Sequence, residues 1–324
     1  MDKLDIIKKP VAQELVAFEK HFRNSVNSPV PLLDTINNYI IRHKGKQIRP
    51  LFVFLSAKLL GDVNKATFTA ATLIELLHTS TLLHDDVVDE SYERRNHFSI
   101  NAIWKTKIAV LVGDFFLSRG LLVSIAEKQY ELLETVSVAV EEMIAGELLQ
   151  IQSVKKSVKN IDNYFKVIEK KTASLIAACT KCGAQSVTKN EETQEQLRQF
   201  GLNAGIAFQI KDDLLDYQKK SLSGKPSGND IKEKKFTLPL ILALQNSSTA
   251  ESKKIIRLVN TNENSSQKIN EVVEFVINKG GIKQSEEYLN LYRSKALDIL
   301  NQFTENEAKI SLISLLDYVI SRNK

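Results

Sequence analysis

No proline occurs between Pro50 and Pro226, although the chain has six, the others at Pro10, Pro29, Pro31 and Pro239. Proline is the residue that most reliably breaks a helix, because it lacks a backbone donor and its ring clashes with the preceding turn. About half of the chain is therefore free to be helical almost throughout. Apolar spacing agrees: Leu73, Ile74, Leu77 and Thr81 follow one helical face, as do Val136, Val140, Met143, Ile144 and Leu148. No convincing alternating strand pattern or Asn-Gly hairpin is found, so no strands are expected. Breaks are expected at 25–31, 61–64, 93–100, 153–160, 187–192, 219–229 and 260–266. They mark off about a dozen helices by ordinary length priors, with no low-complexity linker between them. The expectation is one all-α domain over residues 1–324.

Composition narrows the function classes. With 324 residues, 43% of them hydrophobic, the chain can bury a large core. A net charge of +5 without a dense Lys/Arg run and interleaved aromatics argues against nucleic acid as a partner. No stretch approaches ~20 uninterrupted apolar residues, and the segment Met1 to Lys9 is charged rather than signal-like; a soluble, cytoplasmic protein is expected. Cys179 and Cys182 form a Cys-x-x-Cys. A zinc site would need further ligands nearby, and a redox motif would need a strand-to-helix turn. Two small core side chains, kept reduced, are the better reading.

The chemistry lies in two pentapeptides, Asp85-Asp86-Val87-Val88-Asp89 and Asp212-Asp213-Leu214-Leu215-Asp216. On a helix the first and last acids of each project from one face. Unpaired, they would repel, so the pattern points to hard cations; two such clusters facing each other across a cavity suit Mg²⁺ shared with a phosphate-bearing ligand. Cations stand at matching places. Lys46 and Arg49 stand just before an expected helix start, where an anion is already favoured. Arg94 and Arg95 are adjacent in a loop, point in different directions and can serve two separate diphosphates. Lys171-Thr172 opens a helix with few charges, and Phe208-Gln209 precedes the second motif. Each of these basic groups is otherwise an ordinary solvated turn. The loop 223–230 carries Lys225 between glycines but lacks the Walker order and a preceding strand; it reads as a flap over a charged site. Glu75-Leu76-Leu77-His78 has the form used by di-iron bundles, but no other histidine has a Glu three residues earlier. His78 instead shares the face of Asp85, seven residues on, as a donor to phosphate.

Taken in order, Leu83-His84-Asp85-Asp86-Val87-Val88-Asp89, Arg94-Arg95, Val112-Gly113-Asp114, Lys171-Thr172, Phe208-Gln209-Ile210-Lys211-Asp212-Asp213 and Gly224-Lys225-Pro226 resemble the trans-isoprenyl diphosphate synthases. The segment from Leu77 to Leu83 resembles their long-chain, octaprenyl-type branch, and the resemblance runs from about Gly45 to Leu240. Asn96 stands where that family usually has Gly, and Lys234 replaces a Gly before Lys235; neither removes a ligand.

The resemblance implies an all-α, single-domain helical bundle of the isoprenoid synthase type with a central active-site cavity. It implies Mg²⁺-dependent sequential condensation of isopentenyl diphosphate onto an allylic diphosphate, by ionisation, condensation and proton loss, supplying a quinone side chain. Asp85, Asp89 and Asp212 would hold about three Mg²⁺ per active site, with Asp86, Asp213 and Asp216 as water-mediated partners. Arg94, Lys171 and Lys235 would take the allylic diphosphate, with Lys225 of the flap also binding substrate phosphate; Lys46, Arg49, His78 and Arg95 would take isopentenyl diphosphate; Thr172 and Gln209 would stabilise the cation. The product tunnel would pass Ser80 and Thr81, then Leu77, then Ile74. Since Ser80 and Thr81 are small it would stay open to about six to nine units, at one helical turn per unit, with Phe115, Phe116 or Leu117 as floor. A homodimer delivering product to membrane enzymes is expected. The alternatives are a short-chain farnesyl or geranylgeranyl synthase, or a terpene cyclase, against which the second acidic motif argues. A silent regulatory subunit would have lost acids from one motif, and none is lost.

Overall fold

The computed structural model describes residues 3–94, 97–153, 159–218, 228–262 and 265–321. Among them sixteen α-helices run α1 Lys3–Lys8, α2 Ala12–Ser25, α3 Pro31–Arg42, α4 Ile48–Leu60, α5 Lys65–Val88, α6 Ile100–Ala126, α7 Tyr130–Ser153, α8 Ile161–Ile168, α9 Ser174–Gln185, α10 Glu191–Asp216, α11 Asn229–Lys232, α12 Leu238–Gln245, α13 Thr249–Asn260, α14 Ser266–Asn278, α15 Gly281–Leu300 and α16 Glu307–Ser321. A 3-10 turn, Lys9–Val11, precedes α2, and a π-turn, Glu169–Ala173, follows α8. The residues group into two compact units: Met1–Val140 with Ile176–Arg198 and Phe303–Ser314, and Glu141–Leu175 with Gln199–Gln302 and Leu315–Lys324.

In the first unit α5 is the central helix. Asn64 starts it by accepting, through its side chain, from the amides of Ala66, at 2.8 Å, and Thr67, while the Asn64 amide donates to the Thr67 hydroxyl. Such a cap is worth roughly 1 kcal/mol. The helix is buried on most of its circumference because α2, α4 and α6 all pack on it. α6 comes closest. A side chain at Gly113 would collide with the His84 ring, and one at Gly120 would press on Leu77, so two glycines on one face of α6 set this approach. Leu73, Ile74, Phe54 and Phe116 are fully buried in the core. Leu73→Ala should cost about 3 kcal/mol through the cavity left behind. α6 is long and apolar enough, by length and composition, to cross a membrane. Its outer side exposes Val110, Leu111, Leu117, Leu121, Leu122 and Ile125.

In the second unit α12, Leu-Pro-Leu-Ile-Leu-Ala-Leu-Gln, is buried along almost its whole length, with Pro239 in the first turn where its missing amide costs nothing. It packs against α14 and α15, and Leu240, Leu244, Ile255, Val259, Val272 and Val276 form the core there. The π-turn is met closely by its neighbours: a Cβ on Gly146 of α7 would lie 2.5 Å from the Lys171 amide nitrogen, and one on Gly205 of α10 2.6 Å from the Ala173 Cα.

Several breaks fall where composition placed them: α2 ends at Ser25 and α3 starts at Pro31, α4 ends at Leu60 and α5 starts at Lys65, and α9 and α10 are split at 186–190. Other turns rest on residues that are neither glycine nor proline. Gln47 (φ 53°), Lys128 (φ 55°) and Lys234 (φ 57°) adopt left-handed backbone, and Lys105 (φ 69°) interrupts α6. Each such turn costs about 1–2 kcal/mol in a side chain with a Cβ and is invisible to residue-type signals. The expectation of no strands is corrected by one antiparallel pair, Glu93–Arg94 with His97–Phe98, in which Arg94 faces His97. Two residues per strand are too few to write an alternating pattern.

Candidate active site

The first acidic motif closes α5. The Asp89 amide donates to the Asp85 carbonyl at 2.8 Å, so these two acids stand one turn apart, and both are exposed. Asp86 is only 4% exposed, and one of its oxygens accepts from Arg94 Nε at 2.8 Å and Nη2 at 2.7 Å. The short hairpin delivers that arginine. It is tied to α3, where the Tyr39 hydroxyl donates to the Phe98 carbonyl at 2.8 Å and the His43 and His97 rings lie 4.1 Å apart. A cavity of about 110 Å³ is lined here by Gly45, Gln47, His78, Asp86, Arg94 and His97 over apolar Phe22, Leu82 and Ile100. His78 is buried at its wall. Lys46 is exposed in the turn before α4, and Arg49 is half-buried in the first turn of α4. Arg95 and Asn96 lie outside the described residues.

The second motif closes α10 differently. Asp212 is half-buried, whereas Asp213 is 3% exposed. Asp213 Oδ2 accepts from the Tyr164 hydroxyl at 2.7 Å and from the Leu238 amide at 3.5 Å; Oδ1 accepts from Gln209 Nε2 at 2.9 Å. Gln209 Oε1 in turn accepts from the Thr172 hydroxyl at 2.8 Å. Burial pushes the Asp213 carboxyl up to about 6, against the lowering effect of the Tyr164 and Gln209 hydrogen bonds. Asp216 caps α11: its two oxygens accept from the amides of Asn229 and Asp230, each at 2.9 Å. Asp230 is pushed up to about 7, first by burial and then by the negative charges of Asp213 and Asp216, with Lys235 opposing. The Lys235 amide donates to the Asp230 carbonyl at 2.8 Å, and its ammonium pairs with Glu233 at 2.5 Å. Lys171 pairs with Glu147 and donates to Gln150 at 3.0 Å.

A cavity of about 160 Å³ gathers Lys171, Thr172, Gln209, Asp213 and Lys235, with Tyr164, Asp230, Phe236 and Ile241 beside them. The π-turn brings Lys171 and Thr172 to this one cavity; such single π-turns are frequent at functional sites. Of the expected residues, the structure thus joins five in one cavity and His78, Asp86 and Arg94 in the other. Lys225 lies outside the described residues. Tyr164, Asp230, Glu147 and Gln150 were not anticipated. Tyr164 stands seven residues before Lys171, the same two-turn spacing that relates His78 to Asp85, and that spacing was the available signal. Among the chain-length residues, Ile74, Leu77 and Ser80 are buried, and the Ser80 hydroxyl donates to the Gly113 carbonyl at 2.8 Å; Thr81 is half-buried. Of the proposed floor residues Phe116 is fully buried, Phe115 half-buried and Leu117 exposed. Cys179 and Cys182 are free and buried in the first unit, and burial pushes the Cys179 thiol up to about 12.

Among the described residues no three His, Cys, Asp or Glu converge on one point as a ready cage. Small hard cations are commonly held by one or two carboxylates, with phosphate oxygens and water completing the shell. Exposed Asp85 and Asp89 in the first unit suit such a role, as does half-buried Asp212 in the second; both oxygens of Asp213 and of Asp216 accept hydrogen bonds from the protein.

The chain is similar to known proteins along most of its length. The polyprenyl synthetase family matches residues 30–276. The all-trans-nonaprenyl-diphosphate synthase (geranyl-diphosphate specific) of Rhodobacter capsulatus is 34% identical over 322 residues, covering 99% of this chain and 98% of its own length. The polyprenyl synthase of Caulobacter crescentus CB15, solved with calcium and isoprenyl diphosphate, superposes with a TM-score of 0.90 at 31% identity, covering 99% of this chain and 98% of that one. The geranylgeranyl pyrophosphate synthase of Bacteroides thetaiotaomicron superposes at 0.85 with 36% identity, covering 99% of this chain and all of that one, 100%. The family and its calcium-bound member imply dependence on a divalent metal. With its family match through most of its length and a relative alike from end to end, the chain belongs to the polyprenyl synthetase family and is a prenyltransferase, a polyprenyl diphosphate synthase.

Proposed function

We propose that the chain extends an allylic diphosphate by repeated condensation with isopentenyl diphosphate to a long trans-polyprenyl diphosphate, for use as a quinone side chain. The observation that carries this is the cavity where Lys171, Thr172, Gln209 and Lys235 meet beside the second acidic motif. The hard step breaks a carbon–oxygen bond to give an allylic cation and free diphosphate. Bound Mg²⁺, about three ions per site, supplies neutralisation of the leaving charge as it develops. Asp85, Asp89 and Asp212 hold the metal. Arg94, Lys171, Lys225 and Lys235 take the allylic diphosphate, and Lys46, Arg49, His78 and Arg95 fix isopentenyl diphosphate without metal, its double bond aimed at the cation. Thr172 and Gln209 face the cation, and the released diphosphate accepts the final proton.

Chain length is set along α5 by Ser80, Thr81, Leu77 and Ile74. Support comes from the small side chains there and the glycines opposite them on α6. The apolar outer side of α6 suits an isologous partner, so a homodimer is proposed. The family match runs through both compact units, which favours a single synthase domain over residues 1–324. Cytoplasmic synthesis with delivery to membrane enzymes completes the reading.

The test is product analysis with labelled isopentenyl diphosphate, Mg²⁺ and several allylic starters. Alcohols of about six to nine units are expected after dephosphorylation. Products stopping at farnesyl or geranylgeranyl length would favour a short-chain synthase; a cyclised hydrocarbon formed without isopentenyl incorporation would overturn the reading. Ser80→Phe should shorten the product to about three or four units with the first condensation intact, and release of full-length product would place the tunnel elsewhere.

A further inference from the structure

Beside the second motif runs a hydrogen-bond chain whose direction follows from the chemistry of its ends. A carboxylate only accepts, so Gln209 meets Asp213 Oδ1, at 2.9 Å, through its amino group. Its carbonyl is thereby turned to Thr172, whose hydroxyl, 2.8 Å away, has to donate. The Thr172 oxygen is left with lone pairs rather than a proton on the side of the cavity that it lines. Asp213 itself cannot turn away, because Tyr164 donates to its other oxygen at 2.7 Å and the whole group is buried. We propose that Asp213 and Tyr164 are positioning residues that set the polarity of this chain and so give Thr172 an electron-rich face toward the allylic cation. The proposal rests on the prenyl-transfer reading above and refines it.

Asp213→Asn tests the polarity with almost no change of shape. Its Oδ1 keeps the Tyr164 hydroxyl, and its new amino group faces Gln209, which turns its carbonyl to meet it. Gln209 then donates to Thr172, and the Thr172 proton points into the cavity. Tyr164→Phe withdraws one brace and leaves the carboxylate in place. Two probes are bound by calorimetry with Mg²⁺: an ammonium analogue of the allylic cation together with inorganic diphosphate, and a neutral allylic thiolodiphosphate. Asp213→Asn should weaken the ammonium probe about tenfold more than the thiolodiphosphate. Tyr164→Phe should weaken it selectively by a few-fold, about the effect of one neutral hydrogen bond, with no further loss in the Asp213→Asn background. A purely structural role would weaken both probes alike, and equal losses, or none, in Asp213→Asn overturn the proposal. A wild-type protein that binds neither probe overturns the prenyl-transfer reading itself. If Tyr164→Phe does not fold, the near-isosteric Asp213→Asn decides alone.

Discussion

Asp86 and Asp213 hold the same place in two pentapeptides that read alike, and both are buried, yet they are held by different chemistry. Asp86 is paired with a cation, Arg94, whose side chain reaches it from a short hairpin. Among the described residues Asp213 accepts from neutral donors, Tyr164, Gln209 and the Leu238 amide, and burial pushes its carboxyl up to about 6. The last acids differ as well: Asp89 is exposed at the end of α5, while Asp216 has both oxygens on the first amides of α11. Repetition of a motif therefore does not repeat its duties. In the first motif the middle acid holds Arg94; in the second the middle acid accepts from Tyr164 and Gln209, and the last acid accepts from the first amides of α11.

The largest expected effect lies where the motifs are alike. Asp85→Ala or Asp212→Ala should lower kcat by about a thousandfold or more at saturating substrates and Mg²⁺, because each removes charge stabilisation felt mainly in the transition state. The fold should survive, since the loss of an acid relieves repulsion, and circular dichroism checks this. Near-normal steady-state turnover would remove these residues from the metal set.

The middle acids should separate next. Asp213→Asn should lower kcat by about ten- to a hundredfold with both Michaelis constants nearly unchanged, whereas Asp86→Asn should mainly raise that for the allylic diphosphate as Arg94 loosens. Identical kinetic signatures would erase the distinction. On the cation side, Lys235→Ala should raise the Michaelis constant for the allylic substrate and Lys46→Ala that for isopentenyl diphosphate, each by about tenfold. A shared loss for one substrate would mean that the cations are wrongly divided.

The smallest effect concerns the last acids. Asp216→Ala uncaps α11 and should cost about 1 kcal/mol, or roughly 2–4 °C in Tm, while Asp89→Ala should change stability by less than about 0.5 kcal/mol. Equal melting shifts in a thermal scan would contradict the contrast.

Much of this was readable in the chain because it is written locally. The proline gap, the helical periodicity and the two motifs each depend on neighbours within a few residues, and helix starts such as Pro31 and Lys65 fall beside their punctuation. What was not readable depends on distance or on backbone strain. Asp213 faces inward because Tyr164, 49 positions away, donates to it, and no pattern near Asp213 announces this. Leu214 and Leu215 look like Val87 and Val88, so the two motifs gave no local hint of their difference. The left-handed turns at Gln47, Lys128 and Lys234 are held by their surroundings against the preference of their side chains. The π-turn that brings Lys171 and Thr172 to one cavity arises where glycines at 146 and 205 admit α7 and α10, a coincidence of three segments.

The most direct test of this division is the number of metal ions bound with an allylic thiolodiphosphate, counted by calorimetry with Mn²⁺ in place of Mg²⁺ for the wild type, Asp212→Asn and Asp213→Asn. Asp213→Asn should bind the wild-type number and Asp212→Asn at least one fewer; loss of the same ion from both variants would show that the two acids share one duty and contradict the account.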